Sequence, residues 1–350
     1  MARKDITKQF SKKATIASFI MSILVVFIHA NNLAYYNFNG NDNTVVHVLV
    51  KVFAGILGGL AVPFFFMLSA YWLFRIEKDE KKEIITLNKR LKRKGKTVII
   101  PYICWNTLGM CFYMLVTRIP FISNLMNSGS VIEISVENIV KGVFLHSFYF
   151  PFWYLKDLIV LFALSPVIFF VIKKKAIAIV SIFIIGGISI LEIKLPIFQT
   201  ESLLFFLIGG YLSVYQRGWF ERINSGRGGY TFLWVICSVI RYFGDGTIVK
   251  MIFIISPILM WKALDTLLVK VMERYELSWF VKQSFFIYAV HVIPVTCVGH
   301  ILAKVNGSNC GAAINYMLAP IITIGIIYII AKIMNRYFRR VYSVLCGERG

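Results

Sequence analysis

Acidic side chains are scarce in this chain. Asp and Glu number 17 against 38 Lys and Arg, leaving a formal net charge of +21 over 350 residues. Long polar stretches are also missing, so no separate soluble domain has enough sequence to bury a core of its own. The six cysteines form no CxxC pair, so neither a metal site nor a disulfide framework is indicated. What the chain has in excess is apolar: 58% of residues are hydrophobic and 15% aromatic, where soluble domains average about 45–50% apolar. This is the composition of a polytopic membrane protein. In such a protein a basic balance points to Lys and Arg gathered in cytoplasmic loops facing anionic lipid, and not to nucleic acid.

A bilayer core takes about 20 apolar residues as helix. The hydropathy pattern predicts an all-α bundle of about ten spans, at 14–34, 46–74, 97–117, 151–172, 176–192, 200–216, 229–243, 247–264, 281–302 and 313–334. The first run is too long for a signal-peptide core and lacks a small-residue cleavage site, so it reads as a retained span. With the N-terminus inside, most Lys and Arg fall in inner segments: the tail 1–13, the loop 75–96, Lys173–Lys175, 217–228, 262–282 and the tail 335–350. The outer loops hold only Arg118, Lys141, Lys194 and Lys304. That asymmetry favours an N-in, C-in orientation. The 75–96 loop has a helical pattern, and 262–282 reads as an amphipathic helix on the inner surface. The outer loop 118–150 is long enough for a lid.

The stretch IASFIMSILVVFIHANNLAY, residues 16–35, carries the first chemistry. His29 comes two-thirds or more along a span that starts inside, which puts it in the outer half of the membrane. A neutral imidazole can take a proton from a hydroxyl, and an ionisable residue inside a span marks function by default. The plain alternative is a wet histidine at the headgroup boundary. Trp153, Lys156 and Asp157 open the fourth span from the outside at comparable depth, with Trp153 and Asp157 four apart on one helix face. Asp157 beside a histidine would orient the imidazole; otherwise it pairs with Lys156, and Trp153 is a belt anchor. Glu201 is a second acidic candidate at the outer face. His291, with Tyr288 one turn earlier, lies near mid-membrane; a core histidine bonded to a neighbouring helix is its alternative. His47, His146 and His300 are set aside. On the inner side Lys89, Arg90, Lys92, Arg93, Lys94 and Lys96 form a basic run. Arg and Lys clusters bind phosphate well, although positive-inside topology alone produces such runs. Arg90 and Arg93, one helical turn apart, are the chosen pair, with Arg75 and Lys89 beside them.

Taken together, these stretches resemble the acyltransferase 3 family of integral membrane acyltransferases. VVFIHANN resembles the family's first helix, with His29 at its characteristic histidine. PFFFMLSAYWLF looks like its FF-x-x-SG-aromatic helix, with Ala70 where glycine is usual. NKRLKRKGKTVIIPYICWN is similar to its basic stretch before a proline-led helix, and PFWYLKDLIVLF to its aromatic segment. FFLIGGYLS and SFFIYAVHVIPV fit the later glycine helix and the YxxH helix. The chain departs at Ser18, where many members carry an arginine eleven residues before the histidine; Lys12 or Lys13 could stand in from the tail.

The resemblance implies one integral membrane acyltransferase-like domain over 1–350, in a cell membrane taken as the bacterial plasma membrane. It implies transfer of an acyl group, first of all acetyl, from cytosolic acyl-CoA to a hydroxyl of a cell-surface glycan or lipid-linked sugar. No metal is expected. The chain would act alone or within a polysaccharide synthesis complex. His29 would be the essential catalytic residue, and Arg90 and Arg93 would contact the donor's phosphates. In the mechanism this suggests, His29 accepts the hydroxyl proton, Asp157 or Glu201 orients it, and Tyr288 or Asn32 holds the oxyanion; an acyl-histidine intermediate is the variant. The competing expectation is a transporter or flippase of a glycan or small-molecule precursor.

Overall fold

In the computed structural model the described residues are 3–31, 33, 36, 44–75, 80–118, 135, 137, 141–142, 147, 149–223 and 228–347. Asn32, His146 and most of the expected lid lie outside them. Among the described residues there is no strand. Lipid offers backbone groups no partners, so a chain this apolar satisfies them within helices.

The helices are α1 (Arg3–His29), α2 (Val45–Val50), α3 (Ala61–Phe74), α4 (Glu80–Lys94), α5 (Ile100–Arg118), α6 (Trp153–Lys173), α7 (Lys175–Ile190) and α8 (Thr200–Tyr215). They continue with α9 (Arg217–Glu221), α10 (Gly229–Phe243), α11 (Gly246–Arg274), α12 (Ser284–Val290), α13 (Val292–Val305), α14 (Asn309–Tyr337) and α15 (Arg339–Leu345). A π-helical stretch, Lys51–Leu57, and a short 3-10 turn join α2 to α3 without a break. Five segments are long and apolar enough to cross a bilayer: Ile6–His29, Val45–Phe74, Phe150–Lys173, Gly246–Met272 and Cys310–Tyr337. A sixth is the pair Phe280–Val290 and Val292–Val305, bent by 76°. The apolar helices α7, α8 and α10 are shorter.

Two features depart from the sequence reading. The stretch 262–282 is not a separate surface helix. Residues up to Arg274 continue α11, and Lys262 and Asp265 on that continuation are buried. The expected straight span 281–302 is broken at His291. Pro294 has no N–H for the carbonyl of Val290, and its ring crowds that carbonyl, so the helix bends there.

The chain divides into two compact units. Unit 1 comprises Met1–Leu24, Lys51–Lys92 and Val160–Ser284. Its centre is α3 against α8, where Gly209 permits backbone contact: a Cβ there would lie 2.0 Å from the Met67 carbonyl oxygen. Trp261, Phe10, Tyr71 and Phe220 form an aromatic cluster beneath, with Phe220 stacked on Trp261 at 4.9 Å. Unit 2 comprises Val25–Val50, Arg93–Ile159 and Phe285–Gly350. In it α13 packs on α14, α14 on α2, and α15 on α5. Gly347 takes a positive φ of 65° directly after α15, and a Cβ there would meet the Thr97 carbonyl oxygen at 2.3 Å.

Candidate active site

Unit 2 holds the histidines. His29 is the last residue of α1 and is half-buried. The end of that helix is fixed by packing: Phe27 lies edge-on to Tyr316, whose hydroxyl donates to the Phe27 carbonyl at 3.3 Å. Just beyond it, Asn315 donates to the Tyr36 hydroxyl at 2.7 Å. His291 stands at the break between α12 and α13 and is fully buried. The two imidazole rings are 4.9 Å apart between centroids and inclined at 51°. The edge of Phe150 meets His29 at 6.1 Å. The structure therefore brings together two histidines separated by most of the chain.

The bend explains the state of His291. Its Nδ1 lies 2.7 Å from the Tyr288 carbonyl oxygen. A carbonyl only accepts, so Nδ1 carries the proton and Nε2 is left with a lone pair. That Nε2 is buried and has no partner among the described residues. An unpaired polar atom in such a place costs about 1–3 kcal/mol. Tyr288 is held by its own contacts: its hydroxyl donates to the Pro151 carbonyl, and its ring stacks on Phe152 at 5.7 Å with the planes 7° apart. Tyr102 stacks on the same Phe152, and Tyr154 meets Tyr288 edge-on. The Tyr288 hydroxyl proton is thus directed at Pro151. Its structural part is to fix the carbonyl that sets the tautomer of His291.

Asp157 is buried on α6, and the Lys156 ammonium is 3.6 Å from its Oδ1. Trp153 is half-buried one turn before it. Glu201 is exposed in the first turn of α8 and belongs to unit 1.

Unit 1 holds most of the basic residues singled out on the inner side. Arg90 donates through Nη1 to the carbonyl oxygens of Trp72 at 2.8 Å and Leu73 at 3.0 Å, so it caps the end of α3. Burial and the neighbouring cations Arg75 and Arg217 lower its guanidinium from the ordinary value. Arg75 donates to Glu221 Oε1 at 2.5 Å and to Thr7 Oγ1 at 3.1 Å. Burial works against its charge, but the Glu221 hydrogen bond and charge outweigh it and raise the guanidinium above its usual value. Lys89 is exposed on α4. Arg93, exposed one turn further along α4, falls in unit 2. Lys12 donates to the carbonyls of Met272 and Tyr275. Lys13 donates to Asp265 Oδ1 at 2.6 Å and to the Trp261 carbonyl at 2.5 Å.

The Lys13–Asp265–Lys262 cluster escaped sequence reading. Its members lie on α1 and α11, more than 240 residues apart. The one local signal was Lys262 and Asp265 at i,i+3 inside an apolar run, the spacing of a helical ion pair.

A multi-pass helical protein with a half-buried histidine beside a fully buried one is the class that this architecture defines. The family model for an acyltransferase domain matches residues 19–334, nearly the whole chain, and the chain belongs to that family. No curated protein and no solved structure matches it.

Proposed function

We propose that this protein is a membrane O-acyltransferase. It moves an acyl group, acetyl first of all, from cytosolic acyl-CoA to a hydroxyl of a cell-surface glycan or a lipid-linked sugar. We read the three shorter apolar helices and α5 as further spans, giving about ten with both termini inside. The observation that most supports the site is the bare Nε2 of His291 beside His29. A buried acceptor there can take an N–H of His29 and so leave the other His29 nitrogen as the base, the role a carboxylate plays in an acid–base triad.

The step balances simply. His29 accepts the acceptor's hydroxyl proton as that oxygen attacks the thioester carbonyl. The C–S bond breaks, and the CoA thiolate leaves and takes the proton from the imidazolium. An acyl-histidine route uses the same residues in two stages. Asp157 and Lys156, with Trp153, line the acceptor side in this reading, and Asn32 is retained as an oxyanion donor. Arg75, Lys89, Arg90 and Arg93 supply positive potential for the donor, Arg75 and Arg90 from fixed positions and Lys89 and Arg93 from exposed ones.

The test is purified protein in lipid vesicles with radiolabelled acetyl-CoA and a glycan acceptor. Label should appear in the acceptor with stoichiometric CoA release, and His29→Gln should abolish both. Turnover left intact in His29→Gln would sink the assignment. The 76° break in the span 280–305 favours the transporter reading as a second possibility, since broken helices build transporter sites. A transporter would move the precursor and release no CoA.

A further inference from the structure

We propose that unit 1 contains a binding cavity for a phosphate-bearing group, with Arg222 and Gln9 as its direct donors. The cavity, about 700 Å³ in volume, is lined by Gln9 of α1, Trp219 and Glu221 of α9, Arg222, and Lys262 of α11. Behind its wall the Lys13 and Lys262 ammoniums share the single carboxylate of Asp265, one on each oxygen. All three side chains are nearly inaccessible, at 1–2% exposure. Two basic side chains on one carboxylate leave this wall with more cationic than anionic groups among the described residues. An anion in the cavity would hold both ammoniums in their charged form.

Among the described residues lining the cavity, none supplies that anion. Glu221 is its acidic lining residue, but Glu221 Oε1 accepts from Arg75 Nε at 2.5 Å and from the Tyr71 hydroxyl at 2.7 Å. With Arg90 and Arg217 near Arg75, the surroundings of that carboxylate are themselves cationic. Lys262 already donates to Asp265, to the Trp219 carbonyl at 3.3 Å and to the Arg222 carbonyl at 2.8 Å. It has no N–H left for a ligand, so its part is to supply field. Direct donors must come from elsewhere on the wall. Arg222 is exposed on that wall, and among the described residues no side-chain partner is found for it or for Gln9. An exposed arginine on the cavity wall, with two buried lysines behind it, is matched by a phosphate ester.

Two sources carry that chemistry: the nucleotide phosphates of a CoA donor and the headgroup of an anionic lipid. A nucleotide occupant presupposes the acyl-transfer reading above; phosphate binding itself does not. The full chain is placed in phosphatidylcholine nanodiscs and titrated with CoA, and in parallel its thermal unfolding is followed as phosphatidylglycerol replaces phosphatidylcholine. Arg222→Glu is the decisive variant, because the side chain is exposed and its loss leaves the buried contacts intact. With the nucleotide in the cavity, Arg222→Glu weakens CoA binding about tenfold or more, Gln9→Ala weakens it less, and His29→Gln binds CoA like the wild type. With lipid in the cavity, CoA binding is unmoved but Arg222→Glu removes the stabilisation given by phosphatidylglycerol. If Arg222→Glu changes neither measurement, the cavity holds no phosphate and the proposal is wrong. Because binding is read without turnover, a failed acyl-transfer assay leaves this result standing.

Discussion

At the scale of single residues, the candidate site holds a buried lone pair without a partner among the described residues. His291 Nε2 is buried in unit 2 without a hydrogen-bond partner among the described residues, while the imidazole of His29 lies alongside. Under the proposed chemistry the two rings act as a pair. Replacing His29 by Gln removes the base and should lower turnover about 10²–10⁴-fold. Replacing His291 by Gln leaves the base present but unoriented. The expected outcome is a fall in kcat with the KM for acetyl-CoA unchanged, read in the same vesicle assay; a purely structural His291 would instead lower the amount of folded protein and spare kcat. Unit 1 offers a second residue-scale contrast. Asp265→Asn leaves two buried ammoniums facing each other and should destabilise by about 3–5 kcal/mol. Lys13→Met leaves the neutral Lys262–Asp265 pair and should cost much less, although the Trp261 ring loses the ammonium now 3.5 Å from its centre. Thermal unfolding in detergent measures the difference, and equal losses would show that charge balance is not what the cluster maintains.

At the scale of elements, hydropathy was a good guide wherever a helix is mostly apolar, since length and composition alone then decide it. The helices at Lys175–Ile190, Thr200–Tyr215 and Gly229–Phe243 fall within two residues of the runs read from sequence. The basic loop's helical pattern likewise became α4. Hydropathy failed where tertiary contacts overrule it. Residues 262–274 look like a surface helix by their charges, but two of those charges turn inward to Lys13. The bend at His291 was signalled by Pro294, yet a proline within an apolar run is tolerated in membrane helices, and only the folded chain shows which way it resolves. Of the site, His29 was legible because it is polar in an apolar run. Its nearness to His291 was not, because nothing local encodes a contact across more than 250 residues. Helix approach can be tested at this scale with two glycines. Gly209→Ala drives a methyl into the Met67 carbonyl and should destabilise by about 1–3 kcal/mol. Gly187→Ala, on α7, meets open space and should be neutral or stabilising by up to about 1 kcal/mol from helix propensity. Both are read by thermal unfolding in detergent.

At the scale of the whole molecule, the proposed sidedness rests on charge. The segments assigned to one membrane face on their Lys and Arg content meet one another within unit 1: Thr7 with Arg75, Arg75 with Glu221, Lys12 with Tyr275, and Lys262 with the Arg222 carbonyl. Segments assigned to the opposite face also meet, since Lys250 pairs with Glu192 at 2.7 Å and donates to the Ile190 carbonyl at 3.2 Å. Helix length alone permits either face to be the inner one. In the proposed topology the excess of cations puts the first face in the cytoplasm, because Lys and Arg near span ends are retained where they are synthesised and face anionic lipid. The prediction is made on a chain whose native cysteines are replaced. Lys92→Cys, exposed on α4, should react in intact cells only with a membrane-permeant maleimide. Lys194→Cys, exposed beyond α7, should react with an impermeant one. The reverse pattern would put the cationic face outside, away from cytosolic acyl-CoA, and would remove the physical basis for a donor site among Arg75, Arg90 and Arg222. Labelling of both positions from one side would instead mean that the helices between them do not cross the membrane an odd number of times, which would break the ten-span reading itself.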